Sequence, residues 1–123
     1  MKYAILCYHA ENVVCAWSRE QDEAVMEKLG AVQERRAKMG QLGPVARLMP
    51  TTAATTVRKD TAPAVVLDGP FAETKEQLLG FFVGDFPNLE GALEFTRELA
   101  EANPGGAYEV RPIGYFIDWS KPS

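Results

Sequence analysis

Residues 68–76 read Asp68-Gly69-Pro70-Phe71-Ala72-Glu73-Thr74-Lys75-Glu76, a charged stretch set between two apolar runs. The run before it, Ala64-Val65-Val66-Leu67, is short and largely β-branched, which predicts a buried strand. Asp68-Gly69 breaks that strand with a residue free to take positive φ, and Pro70 then fixes its own φ and removes a backbone donor. Because Pro70 also biases Gly69 away from the α region, the chain leaves the sheet in one direction. Thr74 with Gln77 three residues later matches a capping box and predicts one short helical turn before the next strand. The turn is expected to gather Asp68, Glu73, Lys75 and Glu76 at one end of a sheet. Those charges are either a solvated strand connection or the rim of a site, since binding groups favour loops held on rigid scaffolds.

Outside this stretch the pattern is strand, helix, strands, helix, strand. Residues 2–8 alternate Tyr3, Ile5 and Cys7 with Ala4, Leu6 and Tyr8, so both faces of the first strand are largely apolar. A loop with His9, Glu11 and Asn12 follows. Ser18-Arg19-Glu20-Gln21 is a second capping box and opens a helix to about Met39, with Val25, Leu29, Val32, Arg36 and Met39 in one stripe and Gly40 as its stop. Leu42 to Met49 reads as an edge-like strand made irregular by Gly43-Pro44. Ala54 to Arg58 and Ala64 to Leu67 form a hairpin. The strand after the turn, Leu79 to Phe86, sets Phe81 and Val83 against Phe82 and Phe86, and Gly80 and Gly84 on the Phe82 face predict a close approach there. Pro87-Asn88 starts a helix with Leu89, Ala92, Leu93, Thr96, Leu99 and Ala100 inward, ended by Asn103-Pro104-Gly105-Gly106. The last strand, Ala107 to Ile113, carries Tyr108, Val110 and Pro112 on one side and Glu109, Arg111 and Ile113 on the other. A tail from Tyr115 to Ser123 keeps Phe116, Ile117 and Trp119 and is expected to dock on a partner.

The fold class that follows is α+β in a single domain of residues 1–123, with a core of about 1–114 and a tail of 115–123. Two helices on one face of an antiparallel sheet leave the other face bare, although strands one and five are apolar on both sides. A second copy packed sheet against sheet would cover it, so a homodimer is expected, with a small-ligand cavity between the sheets.

Composition narrows the function classes. With 46% hydrophobic residues, 24% charged residues and a net charge of −4, the chain has an ordinary globular composition without the clustered Lys and Arg of a nucleic-acid or anionic-membrane surface. The short basic run Arg35-Arg36 with Lys38 reads as a solvated helix face. The first eight residues are too weakly apolar for a signal peptide and no run is long enough to span a bilayer, so a cytoplasmic location is expected. Cys7 and Cys15 make no disulfide framework and are expected to be reduced. One histidine and two separated cysteines give no zinc or iron–sulfur spacing, and neither a phosphate-binding glycine loop nor a nucleophile elbow occurs. No cofactor and no metal are expected.

Asp68 to Leu78, Asp68-Gly69-Pro70-Phe71-Ala72-Glu73-Thr74-Lys75-Glu76-Gln77-Leu78, resembles the signature of the DGPF-type branch of the YCII-related proteins. Met1-Lys2-Tyr3, Ala54-Thr55-Thr56-Val57-Arg58 and Glu109-Val110-Arg111-Pro112 agree with it, so the resemblance spans nearly the whole chain. It implies a ferredoxin-like antiparallel sheet with two helices on one face, paired into a dimeric α+β barrel. Genes of DGPF-type proteins often lie beside extracytoplasmic-function sigma factors, so the resemblance also brings a regulatory context. Some YCII-related proteins place a histidine in the first helix, as one half of a proposed His/Asp pair. That position falls near Leu29 here, so the pair is not carried over.

Candidate site residues are weighed on chemistry. Asp68, a carboxylate at a strand end, is a candidate general base or a cap for its own turn. His9, the one histidine, is a side-chain type with a reference pKa of about 6.5 and is a candidate acid or base, or an exposed loop residue. Arg58 and Arg111 can hold a carboxylate or phosphate in bidentate fashion, or pair with Glu73, Glu76 or Glu109. Tyr8, Glu73, Lys75 and Glu109 complete the candidate ligand-binding set. Three function classes stay open: a small-ligand binding or accessory regulatory protein linked to a sigma factor, a cofactor-free isomerase- or lyase-type enzyme using Asp68 or His9 as base, and a structural dimer module without ligand.

Overall fold

Strand β1 (Lys2–His9) runs through the middle of a four-stranded sheet, between β5 (Gln77–Asp85) and β6 (Ala107–Pro112), with β2 (Leu42–Arg47) on the far side of β5. The computed structural model describes residues 1–120. The strand order is β2-β5-β1-β6 and every pairing is antiparallel. A short helix α1 (Glu11–Val14), two long helices α2 (Arg19–Lys38) and α3 (Leu89–Ala102), and the strands β3 (Thr55–Arg58) and β4 (Val65–Asp68) complete the elements, with a 3-10 turn at Thr51–Ala53. The sheet of the single chain stays open, so no closed barrel forms among the described residues.

Register decides which side chains meet the helices. Val45, Phe82, Ile5 and Val110 form one row across the sheet, and Arg47, Gly80, Cys7 and Tyr108 form the next. These rows face α2 and α3. Ile5 and Phe82 are buried with Leu29 and Val32 from α2 and with Ala92, Phe95 and Leu99 from α3. Phe95 lies between two rings, stacked on Phe86 at 5.6 Å and edge-on to Phe82 at 5.9 Å. Ala4, Leu6, Phe81 and Val83 alternate to the opposite face, where they are half-buried. Gly80 and Gly84 are needed because a Cβ would strike the Ala46 carbonyl of β2 in the first case and the Phe86 ring in the second. The close approach expected on the Phe82 face is thus made by the chain itself.

The N-terminus of α2 follows its sequence signal. Ser18 Oγ accepts from the Gln21 amide at 3.1 Å, Gln21 Oε1 accepts from the Ser18 amide at 2.8 Å, and Gly40 ends the helix at φ +71°. Near its C-terminus, Arg36 grips Glu98 of α3 with two hydrogen bonds of 3.1 Å and the Gln41 side chain with a third of 3.0 Å. The same guanidinium sits 5.7 Å from the Phe95 ring centre, so one residue ties both helices to the entry of β2.

Several expectations about elements change. Ala64–Leu67 is not a buried strand: β3 and β4 pair only with each other, and Val65, Val66 and Leu67 are 44%, 65% and 48% exposed. This hairpin shares no ladder with the main sheet, so neither of its faces has a layer to pack on. No helical turn forms at Thr74. Its hydroxyl donates to the Glu76 carbonyl, the Gln77 side-chain amide donates to the Thr74 carbonyl, and β5 starts directly at Gln77. The groups that would cap a helix close a bend instead. In α3 the buried stripe is Ala92, Phe95, Leu99 and Ala102, while Leu89 and Ala100 are exposed, because the helix rotates to seat Phe95 between Phe82 and Phe86. Met39, expected in the α2 stripe, is 61% exposed since the apolar contact ends a turn earlier at Val32 and Arg36. The loop expected after β1 folds as α1. In the tail, Tyr115 and Trp119 are exposed and Lys2 Nζ lies 5.1 Å from the Phe116 ring centre; residues 121–123 of the expected docking segment lie outside the described residues.

Candidate ligand cavity

The end of β1 and its exit build the site. Alternation puts Cys7 and His9 on the helix-facing side, while a bulge leaves Leu79 of β5 without a partner between the pairs Cys7 with Gly80 and Tyr8 with Leu78. The Ala10 amide donates to His9 Nδ1 at 2.8 Å, so in the neutral ring the proton sits on Nε2. His9 packs edge-on to Trp17, with ring centres 6.4 Å apart. Above it run Gly105 and Gly106, at φ +91° and +74°. A Cβ on Gly105 would lie 2.7 Å from His9 Nε2, so the turn needs glycine both for its backbone and to admit the imidazole. Nε2 makes no hydrogen bond to any described residue and lies against the Gly105 turn, while the imidazole lines a cavity.

That cavity, about 100 Å³, lies between α2 and the sheet. Its apolar wall comes from Trp17, Val25, Met26, Leu29, Val45 and Phe82, with His9, Gln33, Arg47, Asp22 and Asn103 as the polar positions. Arg47 of β2 and Asp22 of α2 form a two-point ion pair across the opening, Nη2 to Oδ1 at 2.9 Å and Nη1 to Oδ2 at 3.4 Å. Beyond them is a second cavity of about 340 Å³, bounded by Glu11, Met49 and Pro50 among others, and both cavities share Val14, Asp22, Arg47 and Leu79 as lining. Glu11 is held there by the Thr51 amide at 3.0 Å and by the Thr51 hydroxyl, which fixes α1 against the chain leaving β2. Among the described residues no cluster of three or more His, Cys, Asp or Glu side chains is placed to hold a metal ion.

The inner end of the cavity disfavours charge. Burial pushes the Cys7 thiol above its ordinary pKa, against the opposing pull of hydrogen bonds from Tyr108 and Asn103 and of the Arg47 charge. Burial likewise pushes the Tyr108 hydroxyl up to about 12. Asn103 Nδ2 donates to Tyr108 Oη at 3.0 Å, so the phenol is held as an acceptor beside a neutral thiol. Such a pocket end favours apolar atoms.

Residues 1–117 match the YCII-related domain. The chain is also 55% identical over 124 residues to a protein of Rhizobium meliloti (strain 1021) described as "Uncharacterized protein R00369", with the whole of both chains covered. This chain belongs to the YCII-related family.

In this YCII-related chain the candidate residues read from sequence fall into three places. His9 alone lines the cavity. Tyr8, Glu109 and Arg111 lie on the opposite face of the sheet, where Glu109 pairs in register with Leu6 and Arg111 with Ala4, and Arg111 Nε stands 3.8 Å from Glu109. Asp68 pairs with Thr55 in the separate hairpin, Arg58 of the same hairpin binds Asp60 at 2.9 Å, and Glu73 and Lys75 are exposed in the bend after it. Leu29 is buried in the cavity wall. Trp17, Asp22 and Arg47 escaped the sequence reading. One signal for Asp22 was available, since it opens the helical series Asp22, Val25, Leu29 and Gln33, whose polar members sit on an apolar stripe.

Proposed function

We propose that this protein is a small-molecule binding protein whose ligand occupies the cavity between α2 and the sheet. The observation that carries the reading is an apolar enclosure lined by the His9 imidazole, whose Nδ1 is fixed by its own chain, and by the Arg47–Asp22 ion pair. Ligand sites in proteins are mostly apolar with a few fixed polar groups, and this enclosure has that make-up. The working unit is a homodimer in which a second copy covers Ala4, Leu6, Phe81 and Val83, giving a ferredoxin-like dimeric barrel; the strand order β2-β5-β1-β6 with both long helices on the other face supports it. The stretch Asp68 to Leu78 supports placement in the DGPF-type branch, and with it an accessory role beside an extracytoplasmic-function sigma factor.

A thermal-shift screen of metabolites tests the reading. A true ligand raises the melting temperature of the natural chain and has no effect on Val25→Phe, which fills the cavity from the helix side. A compound that stabilises both equally binds elsewhere and overturns the assignment.

A second reading, a cofactor-free isomerase or lyase with Asp68 or His9 as general base, rests on His9 lining the same cavity. Asp68 lines neither cavity, so His9 is the acid–base candidate at this site. Turnover of a bound compound that is lost in His9→Asn while binding persists would establish the enzyme; binding without turnover leaves the binding protein.

A further inference from the structure

The Asp22–Arg47 pair is the one charged feature at the boundary of both cavities. Its two partners come from different layers, Asp22 from the first turn of α2 and Arg47 from the last residue of β2. Both side chains remain partly open to solvent, at 36% and 52% exposure, so the pair is of the class that contributes little to stability and exchanges partners readily. Arg47 stands in the same row as Cys7 and lines the apolar enclosure while its side chain stays half open to solvent. The His9 imidazole lines the same space. A planar guanidinium seeks an acceptor and prefers a carboxylate in two-point geometry.

We propose that the ligand is a small organic carboxylate whose apolar body fills the cavity beside Phe82 and Trp17 and whose carboxylate displaces Asp22 from Arg47. Asp22 is then an internal stand-in for the ligand's own charge. In the free protein it neutralises Arg47 and separates the two cavities; in the complex it turns to solvent and the cavities join. The exchange conserves charge at Arg47, one carboxylate replacing another, so it needs no buried unpaired ion. This inference rests on the cavity assignment of the preceding section and adds the ligand's chemical class and the residue that selects it.

The test compares benzoate with its neutral isostere benzamide, each titrated into the natural chain and followed through the amide resonances of Cys7 and Phe82 and the Trp17 indole. Benzoate is expected to bind more tightly than benzamide. Asp22→Asn removes the competing carboxylate and tightens benzoate by about fivefold while leaving benzamide unchanged. Arg47→Gln abolishes the preference but keeps benzamide binding. If Arg47→Gln does not fold, the Asp22→Asn comparison decides alone. Equal affinity of the two probes, or an Asp22→Asn variant that treats them alike, overturns the carboxylate inference and leaves the cavity assignment standing. No shift at Cys7, Phe82 or Trp17 with either probe overturns both.

Discussion

At the scale of single residues, the two cysteines separate what exposure and burial do to the same side chain. Cys15 is exposed, whereas Cys7 is half-buried with its thiol pushed up by burial. Because the thiolate is the reactive form, Cys15 is expected to react with a disulfide reagent at pH 8 at least about tenfold faster than Cys7, a difference read from Cys7→Ser and Cys15→Ser variants. Equal rates would place Cys7 in solvent. A ligand in the cavity should slow Cys7 further and leave Cys15 untouched. The pH dependence has a definite sign: a raised folded pKa means that Cys7 contributes its full share below the ordinary thiol pKa and loses it as pH rises through the folded value. The Cys7→Ser variant should therefore differ from the natural chain less in alkaline urea titrations than at neutral pH. His9 was visible in the sequence because histidine is rare and reactive. Its neighbour Tyr8 lies on the other face by simple alternation. Asp22 and Arg47 were not visible as a pair, since nothing local connects an acid and a base from a helix and a strand.

At the scale of elements, the same capping pattern had two outcomes. Ser18 with Gln21 caps a real helix because the chain beyond supplies Leu29 and Val32 to bury, and helix formation draws mostly on such packing. Thr74 with Gln77 is followed at once by Leu78 and Leu79 in β5, whose pairing with β1 leaves no residues for a helix. In α3 the stripe was misjudged by a rotation, since composition alone does not say that Phe95 has a slot between two other rings. Truncating it tests that account. Phe95 is completely buried, so Phe95→Ala is expected to lose roughly 3–5 kcal/mol in urea unfolding. A loss below about 1 kcal/mol would mean that the slot collapses or was never filled. Arg36→Ala, which strands Glu98 beside Arg35 alone, should lose roughly 2 kcal/mol by the same measurement, and Glu98→Gln less, because one hydrogen bond to Arg36 survives.

At the scale of the whole molecule, the half-buried outer sheet face and the separate hairpin pose one question. An isolated two-stranded hairpin is marginal in water, yet this one displays Val57, Val65, Val66 and Leu67. Ala4, Leu6, Phe81 and Val83 form a second apolar surface on the main sheet. Together they argue for a subunit partner, and the argument is measurable. Sedimentation equilibrium at micromolar concentration is expected to give twice the chain mass, and Phe81→Lys, which places a charge in the centre of the open face, is expected to give the chain mass with an unchanged far-UV spectrum. A natural chain that sediments as a monomer removes the dimer and the barrel together. The cavity assignment would survive that result, since all of its lining comes from one chain.

The order of the strands and of the two long helices, the apolar two-sidedness of β1 and β5 and the N-terminal cap of α2 were fixed by local pattern, because periodicity and capping act over a few residues. The location of the cavity was decided only by tertiary structure. It depends on strand register bringing Cys7 and Arg47 into one row and on α2 setting Asp22 against Arg47, contacts between residues far apart in the chain that no local pattern encodes.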